Sequence, residues 1–166
     1  MGKLSWTALL IFTVLILSSC SVSFEDELTE ARKAAEIEVN QEPEQANESN
    51  DEIEYFLPSG VEKKEETPNN ILLNNGSKTY ILFYNQREDH GSKVVYESTL
   101  NLHPEWDGHF TFEQDGKFGY FLVKKIDDGV NQVVTGIGGV KLTTETKSLK
   151  SDVDTMMKIV NSVTIK

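Results

Sequence analysis

The spacing of apolar positions changes several times along this chain, and each change predicts a different kind of element. Ala8–Leu17 is an apolar run interrupted only by Thr13, of the length of a secretory signal core and too short to span a bilayer comfortably. In Phe24–Val39 the residues Leu28, Ala31, Ala35 and Val39 share one helical face. An isolated helix this short is marginal in water, so the stretch predicts a transient helix within a flexible linker, with a docking helix for a partner as the alternative. Asn40–Asp51 has almost no apolar residue and cannot offset the entropy of its own ordering.

Beyond Glu52 the period shortens to two. Ile53–Leu57 alternates and runs into Pro58-Ser59-Gly60, a strand followed by a turn. Val61–Glu66 is short and charged, which suits a sheet edge. Ile71–Leu73 and Lys78–Asn85 flank Asn74-Asn75-Gly76-Ser77, a hairpin signal. Lys78–Asn85 is aromatic and nearly continuous, the pattern of a central strand covered on both faces. Ser92–Leu102 reads as a helix capped by Ser92, with Val95, Thr99 and Leu102 inward; Val94, Val95 and Tyr96 also suit a strand.

His109–Glu113 and Phe118–Ile126 flank an Asp115-Gly116 turn, the strongest short hairpin signal. Asp127-Asp128-Gly129 then turns the chain into Val130–Thr144, which completes a three-stranded antiparallel meander. Gly136, Gly138 and Gly139 lie in that third strand and predict a bulge, a bend or a closely packed helix. They do not read as a phosphate loop, because no Lys-Ser/Thr pair or helix start follows them. Lys147–Val163 carries Leu149, Val153, Met156, Met157 and Val160 at helical spacing. Ser148 or Ser151 is its candidate cap, Asp152 and Asp154 complement its positive end, and the methionines read as core fillers. Val163–Lys166 suits a closing strand. The fold class expected is α+β: an antiparallel sheet, made from an N-terminal hairpin and a C-terminal three-stranded meander, covered by a long C-terminal helix.

Charge divides the chain further. The net charge is −11. Ser21–Asp51 holds ten acidic residues against Arg32 and Lys33, a net of −8, whereas Glu52–Lys166 holds 17 acidic and 13 basic residues, a net of −4. The linker therefore carries most of the excess, and an anionic membrane would repel it and push the domain outward. No basic stripe is present, which argues against nucleic acid as a partner. The single cysteine excludes an intramolecular disulfide.

That cysteine ends the apolar run. Lys3 supplies a weak positive n-region, and Ser18 and Ser19 are the small residues a signal peptidase requires. Leu17-Ser18-Ser19-Cys20 resembles the lipobox of bacterial lipoproteins. The resemblance implies that diacylglycerol is attached to the Cys20 sulfur and that the chain is cut between Ser19 and Cys20. Two acyl chains are about what durable anchoring needs, at roughly 0.8 kcal/mol per buried CH₂. The domain organisation expected is a signal peptide over 1–19, a lipidated cysteine and acidic flexible tether over 20–51, and a single α+β domain over 52–166.

A second resemblance covers 52–166. Ile53–Glu66 (IEYFLPSGVEKKEE), Phe118–Lys125 (FGYFLVKK) and Met156–Lys166 (MMKIVNSVTIK) are similar to domains of the PsbP type. Those domains open on a strand ending in Pro-x-Gly and close with a helix running into an Ile-Val-x-Ser segment. The resemblance implies a binding or assembly accessory rather than an enzyme, and it assigns no functional residue and no cofactor.

The residues themselves offer little chemistry. His103 and His109 flank Glu105, Trp106 and Asp107, the best local cluster for a metal, but a six-residue spacing through Pro104 and Gly108 matches no standard ligand template. No serine lies in a Gly-x-Ser-x-Gly elbow. Asp127-Asp128-Gly129 lacks the spaced acids of a calcium loop. Trp106, with Phe110, Tyr120 and Phe121 near it in sequence, is a candidate groove lining for a peptide or glycan. The expectation is a non-enzymatic binding or accessory lipoprotein on the extracytoplasmic face of the cell membrane. Its partners would be the membrane, through diacylglycerol on Cys20, and an envelope protein or glycan. An envelope hydrolase using carboxylates, or a metal near His103 and His109, is the alternative.

Overall fold

A computed structural model describes residues 23–127 and 129–166. Ser19 and Cys20, and with them the cleavage and lipidation sites, lie outside the described residues. The chain begins with helix α1 (Phe24–Val39), followed by β1 (Glu48–Ser49) and β2 (Ile53–Tyr55). A meander of β3 (Glu62–Thr67), β4 (Asn70–Asn75) and β5 (Lys78–Tyr84) leads to α2 (Val94–Leu102). A second meander follows: β6 (Gly108–Gln114), β7 (Lys117–Asp127), β8 (Val130–Ile137) and β9 (Val140–Thr146). Helix α3 (Leu149–Ser162) and β10 (Thr164–Ile165) close the chain. Among the described residues no helix is long and apolar enough to cross a membrane.

The two meanders join through β5 and β9 into one antiparallel seven-stranded sheet, ordered β3-β4-β5-β9-β8-β7-β6. The α+β class and the covering C-terminal helix are as the sequence predicts. The turn residues explain the hairpins. Asp115 and Gly116 both hold positive φ, 49° and 81°, as the tight β6–β7 loop requires. Gly138 (φ 55°) turns β8 into β9. The glycines expected inside one third strand therefore divide it in two, and the meander has four strands rather than three. A Cβ on Gly138 would lie 2.1 Å from the Asp89 carbonyl oxygen, so only glycine fits where loop 85–91 crosses the turn.

One face of this sheet is dry. Tyr80, Leu82, Leu142, Val133, Ile137, Phe121 and Val123 point into a core completed by Leu149, Val153, Met156, Met157 and Val160 of α3. Helix α1 is part of that core, which corrects the expectation of a transient helix in a flexible tether. Ser23 caps it, its Oγ accepting from the Asp26 amide at 3.2 Å. Leu28, Ala31, Ala35 and Val39 are the buried stripe, with both alanines fully buried. Small side chains let α1 approach α3 and the sheet closely: a Cβ on Gly119 would lie 2.7 Å from the Val39 side chain. Tertiary packing supplies what isolated propensity lacks. Asn161 of α3 fastens the end of α1, donating to the carbonyls of Glu38 (3.0 Å) and Gln41 (3.2 Å) while accepting from Lys117.

A small sheet, β1-β2-β10, closes one end. The Asn50 side chain accepts from the amides of Glu52 and Ile53 to form the β1–β2 turn. The 20–51 segment therefore also contributes a strand to the folded body. At the start of α3, Ser148 holds the cap position without a side-chain bond. Instead Thr146 Oγ1 accepts from the Ser148 amide and pairs with buried Asp152, which also meets Lys78.

Candidate functional site

The other face of the sheet is only half covered. Strand pairing places Ile81, Thr143, Val134 and Leu122 in one row across it, and Phe83, Lys141, Gly136 and Tyr120 in the next. Helix α2 and the loop after it lie over the β7–β8 half, where Tyr96, Leu100 and Trp106 pack on Phe118, Tyr120, Leu122 and Val134. Gly136 makes this possible, because the tip of the Tyr120 ring occupies the space that a Cβ there would fill. The β5–β9 half is open. Lys78–Asn85 is thus central in strand order but covered on one face only. Tyr80, Leu82 and Tyr84 are buried, whereas Ile81 is 47% exposed. The residue pattern misleads because Ile81 and Phe83 are apolar although they face outward.

At the boundary between the two halves is a cavity of about 190 Å³. Thr99 and Leu102 of α2 form one wall, and His103 and Trp106 of the following loop form another; Gln132, Val134, Lys141 and Thr143 of β8 and β9 form the floor. Gln132 and Thr143 also line a shallow groove of about 720 Å³, which runs past Ile81 and Thr79 to Ser77 and Lys147. Leu102, expected to face inward, is 72% exposed at the cavity rim. The two features form one continuous depression.

Lys141 is the distinctive group. Its ammonium donates to Thr99 Oγ1 at 3.2 Å and lies 5.5 Å from the centre of the Phe83 ring. Thr99 Oγ1 in turn donates to the Val95 carbonyl at 2.7 Å. Among the described residues Lys141 has no carboxylate partner, and burial pushes its pKa below the ordinary lysine value. Two other donors nearby are unspent: the Trp106 indole N–H and the Tyr120 hydroxyl are buried without a hydrogen-bond partner among the described residues. Burial also pushes the Tyr120 phenol strongly upward, so it remains a donor.

No family model and no curated protein matches this chain. Its site has to be read from its own geometry.

The residues singled out in sequence are only partly brought together. His103 lines the cavity, but His109 lies on β6 and pairs with the Tyr96 hydroxyl. Asp107 accepts from the Lys125 amide at 2.7 Å. Among the described residues no three histidine, cysteine or acidic side chains gather where a metal ion would sit. The aromatic set splits across the sheet. Trp106 and Tyr120 are on the α2 side, whereas Phe110 stacks on Phe121 at 5.7 Å toward α1 and α3. Adjacent strand positions point to opposite faces, so Tyr120 and Phe121 could not share a groove. Sequence reading missed Lys141. The available signal was a charge between Val140 and Leu142 in a strand whose neighbours on the same face are Thr143 and Phe83.

Proposed function

We propose that this chain is a lipid-anchored binding module of the bacterial cell envelope, non-enzymatic, with the open half of the sheet as its binding surface. The lipobox-like Leu17-Ser18-Ser19-Cys20 supports the anchor. The PsbP-type resemblance supports an accessory role, and an antiparallel sheet closed by a C-terminal helix agrees with it. The observation that carries the binding reading is Lys141: a half-buried ammonium without a counter-ion among the described residues, in a cavity flanked by exposed Ile81 and Leu102. Burying a charge without pairing it is costly, and a ligand's negative charge would offset that cost.

The anchor and the fold together set the stand-off. Ser23 caps α1 only three residues after Cys20. At about 3.3–3.6 Å per extended residue, the body would be held roughly 10 Å from the lipidated sulfur, not at the end of a long tether.

Two experiments test the reading. Cys20→Ala should release the protein from membranes or leave an uncut precursor; normal processing with full membrane retention contradicts the anchor. Amide chemical shifts of labelled protein, titrated with soluble muropeptide and glycan fractions, should move on β5, β9 and the end of α2. Silence with every fraction, or shifts confined to α1 and α3, contradicts the binding surface.

A further inference from the structure

Resting on that reading, we infer that the cavity at Lys141 is a subsite for the C-terminal residue of a peptide, its carboxylate held by the Lys141 ammonium and its preceding residues lying along the β5–β9 groove. Size sets the first limit. A cavity of about 190 Å³ is below the roughly 300 Å³ at which drug-sized pockets begin, and it holds the volume of about six waters. That is room for one small residue and its terminal carboxylate.

Charge sets the second limit. One ammonium without a counter-ion among the described residues matches one negative charge, and Thr99 takes a single donor of the three that an ammonium carries. A phosphate monoester would bring a second negative charge where, among the described residues, no second lysine or arginine lines the cavity and His103 is the one other ionisable side chain, into a chain of net charge −11. Burial that holds the lysine below its ordinary pKa marks the same unmet demand.

The groove decides between a peptide and a fatty acid. Beyond the cavity the groove is lined by Gln132, Thr143 and Thr79, with Ile81 between them and with Glu145 and Lys147 further along. Their hydroxyl and amide groups can pair with peptide N–H and C=O groups. An alkyl chain would cover them and leave them unpaired, a cost that a peptide backbone avoids.

The test uses tryptophan emission. The chain has two tryptophans, Trp6 and Trp106; cleavage before Cys20 removes Trp6, and Trp6→Phe silences it in any uncut chain, so the protein in detergent reports from the cavity alone. The probes are acetyl-Ala-Ala-Ala with a free carboxylate, its C-terminal amide, and hexanoate. The peptide acid should give a saturable change, with the amide weaker by about tenfold or more, the scale of a charged hydrogen bond, and hexanoate weaker because it keeps the carboxylate but leaves the groove's polar groups unpaired. Lys141→Met should abolish the response, and Lys141→Arg should keep it within a few fold. Equal responses to acid and amide, a stronger response to hexanoate, or a flat titration with the peptide acid each overturn the inference. Shifts on β5 and β9 with glycan fractions, against a flat peptide titration, would leave the binding surface standing and remove only its peptide ligand.

Discussion

The two faces of the sheet use their apolar residues differently. On the face toward α1 and α3, side chains such as Leu142 and Phe121 are fully buried beneath the helices. On the other face α2 covers half, and the remainder mixes exposed Ile81 with threonines and a lysine that lacks a counter-ion among the described residues. Both faces belong to the same strands, so backbone pairing cannot account for the difference. The first face lowers the free energy of the fold, and the second leaves some of that stabilisation unrealised.

The sharpest way to break this contrast is at the α1–α3 seam. Ala35→Asp puts a carboxylate at a fully buried position and should destabilise the protein by about 3–5 kcal/mol in urea unfolding. If α1 were only a tether, the change would stay within about 0.5 kcal/mol. A comparable contrast comes from two sites in the same sheet, on β7 and β9. Phe121→Ala, on the covered face, should cost about 3–5 kcal/mol. Thr143→Ala, on the open face, should cost no more than about 0.5 kcal/mol. Equal costs would mean that the open face is a second core.

Gly136→Ala tests the boundary between the two halves. The new methyl would meet the Tyr120 ring at 2.3 Å, and overpacking of this kind costs about 1–3 kcal/mol. Displacing Tyr120 should also change Trp106 emission, because both rings pack in the α2 cluster.

A smaller effect concerns Glu38, at the end of α1. Burial raises its pKa above the ordinary value of 4.5, with Lys158 pulling the other way. A carboxyl whose folded pKa is raised stabilises the fold fully below its unfolded pKa, and that stability is lost as pH rises through the folded value. Glu38→Gln should therefore remove part of the fall in stability between about pH 4.5 and neutrality, read as a shallower pH profile of Tm. An unchanged profile would show that the carboxylate is not desolvated in the α1–α3 seam.

Much of this architecture was legible in the sequence because it follows from local rules. Asp115-Gly116 fixes the β6–β7 hairpin, and the 3.6-residue spacing from Leu149 to Val160 fixes α3. What was not legible depends on partners distant in sequence. The weak stripe of α1 becomes stable only against α3, more than a hundred residues later. Gly138 reads as an irregularity until loop 85–91 is seen crossing it. Lys141 was missed for the same reason: its exposed-looking charge is half buried only because Thr99, Trp106 and Phe83 come from three other segments.

The most direct measurement is the thermal midpoint of Lys141→Met beside the unaltered protein at neutral pH. A lysine whose folded pKa is lowered contributes stability above its unfolded value, near 10.5, and loses it as pH falls through the folded value. At neutral pH the ammonium is therefore a cost to the fold, and methionine keeps the apolar stem without the charge. The account predicts that Tm rises by a few degrees. A fall in Tm would show that the ammonium supports the fold, and would remove the argument that it is kept for a ligand.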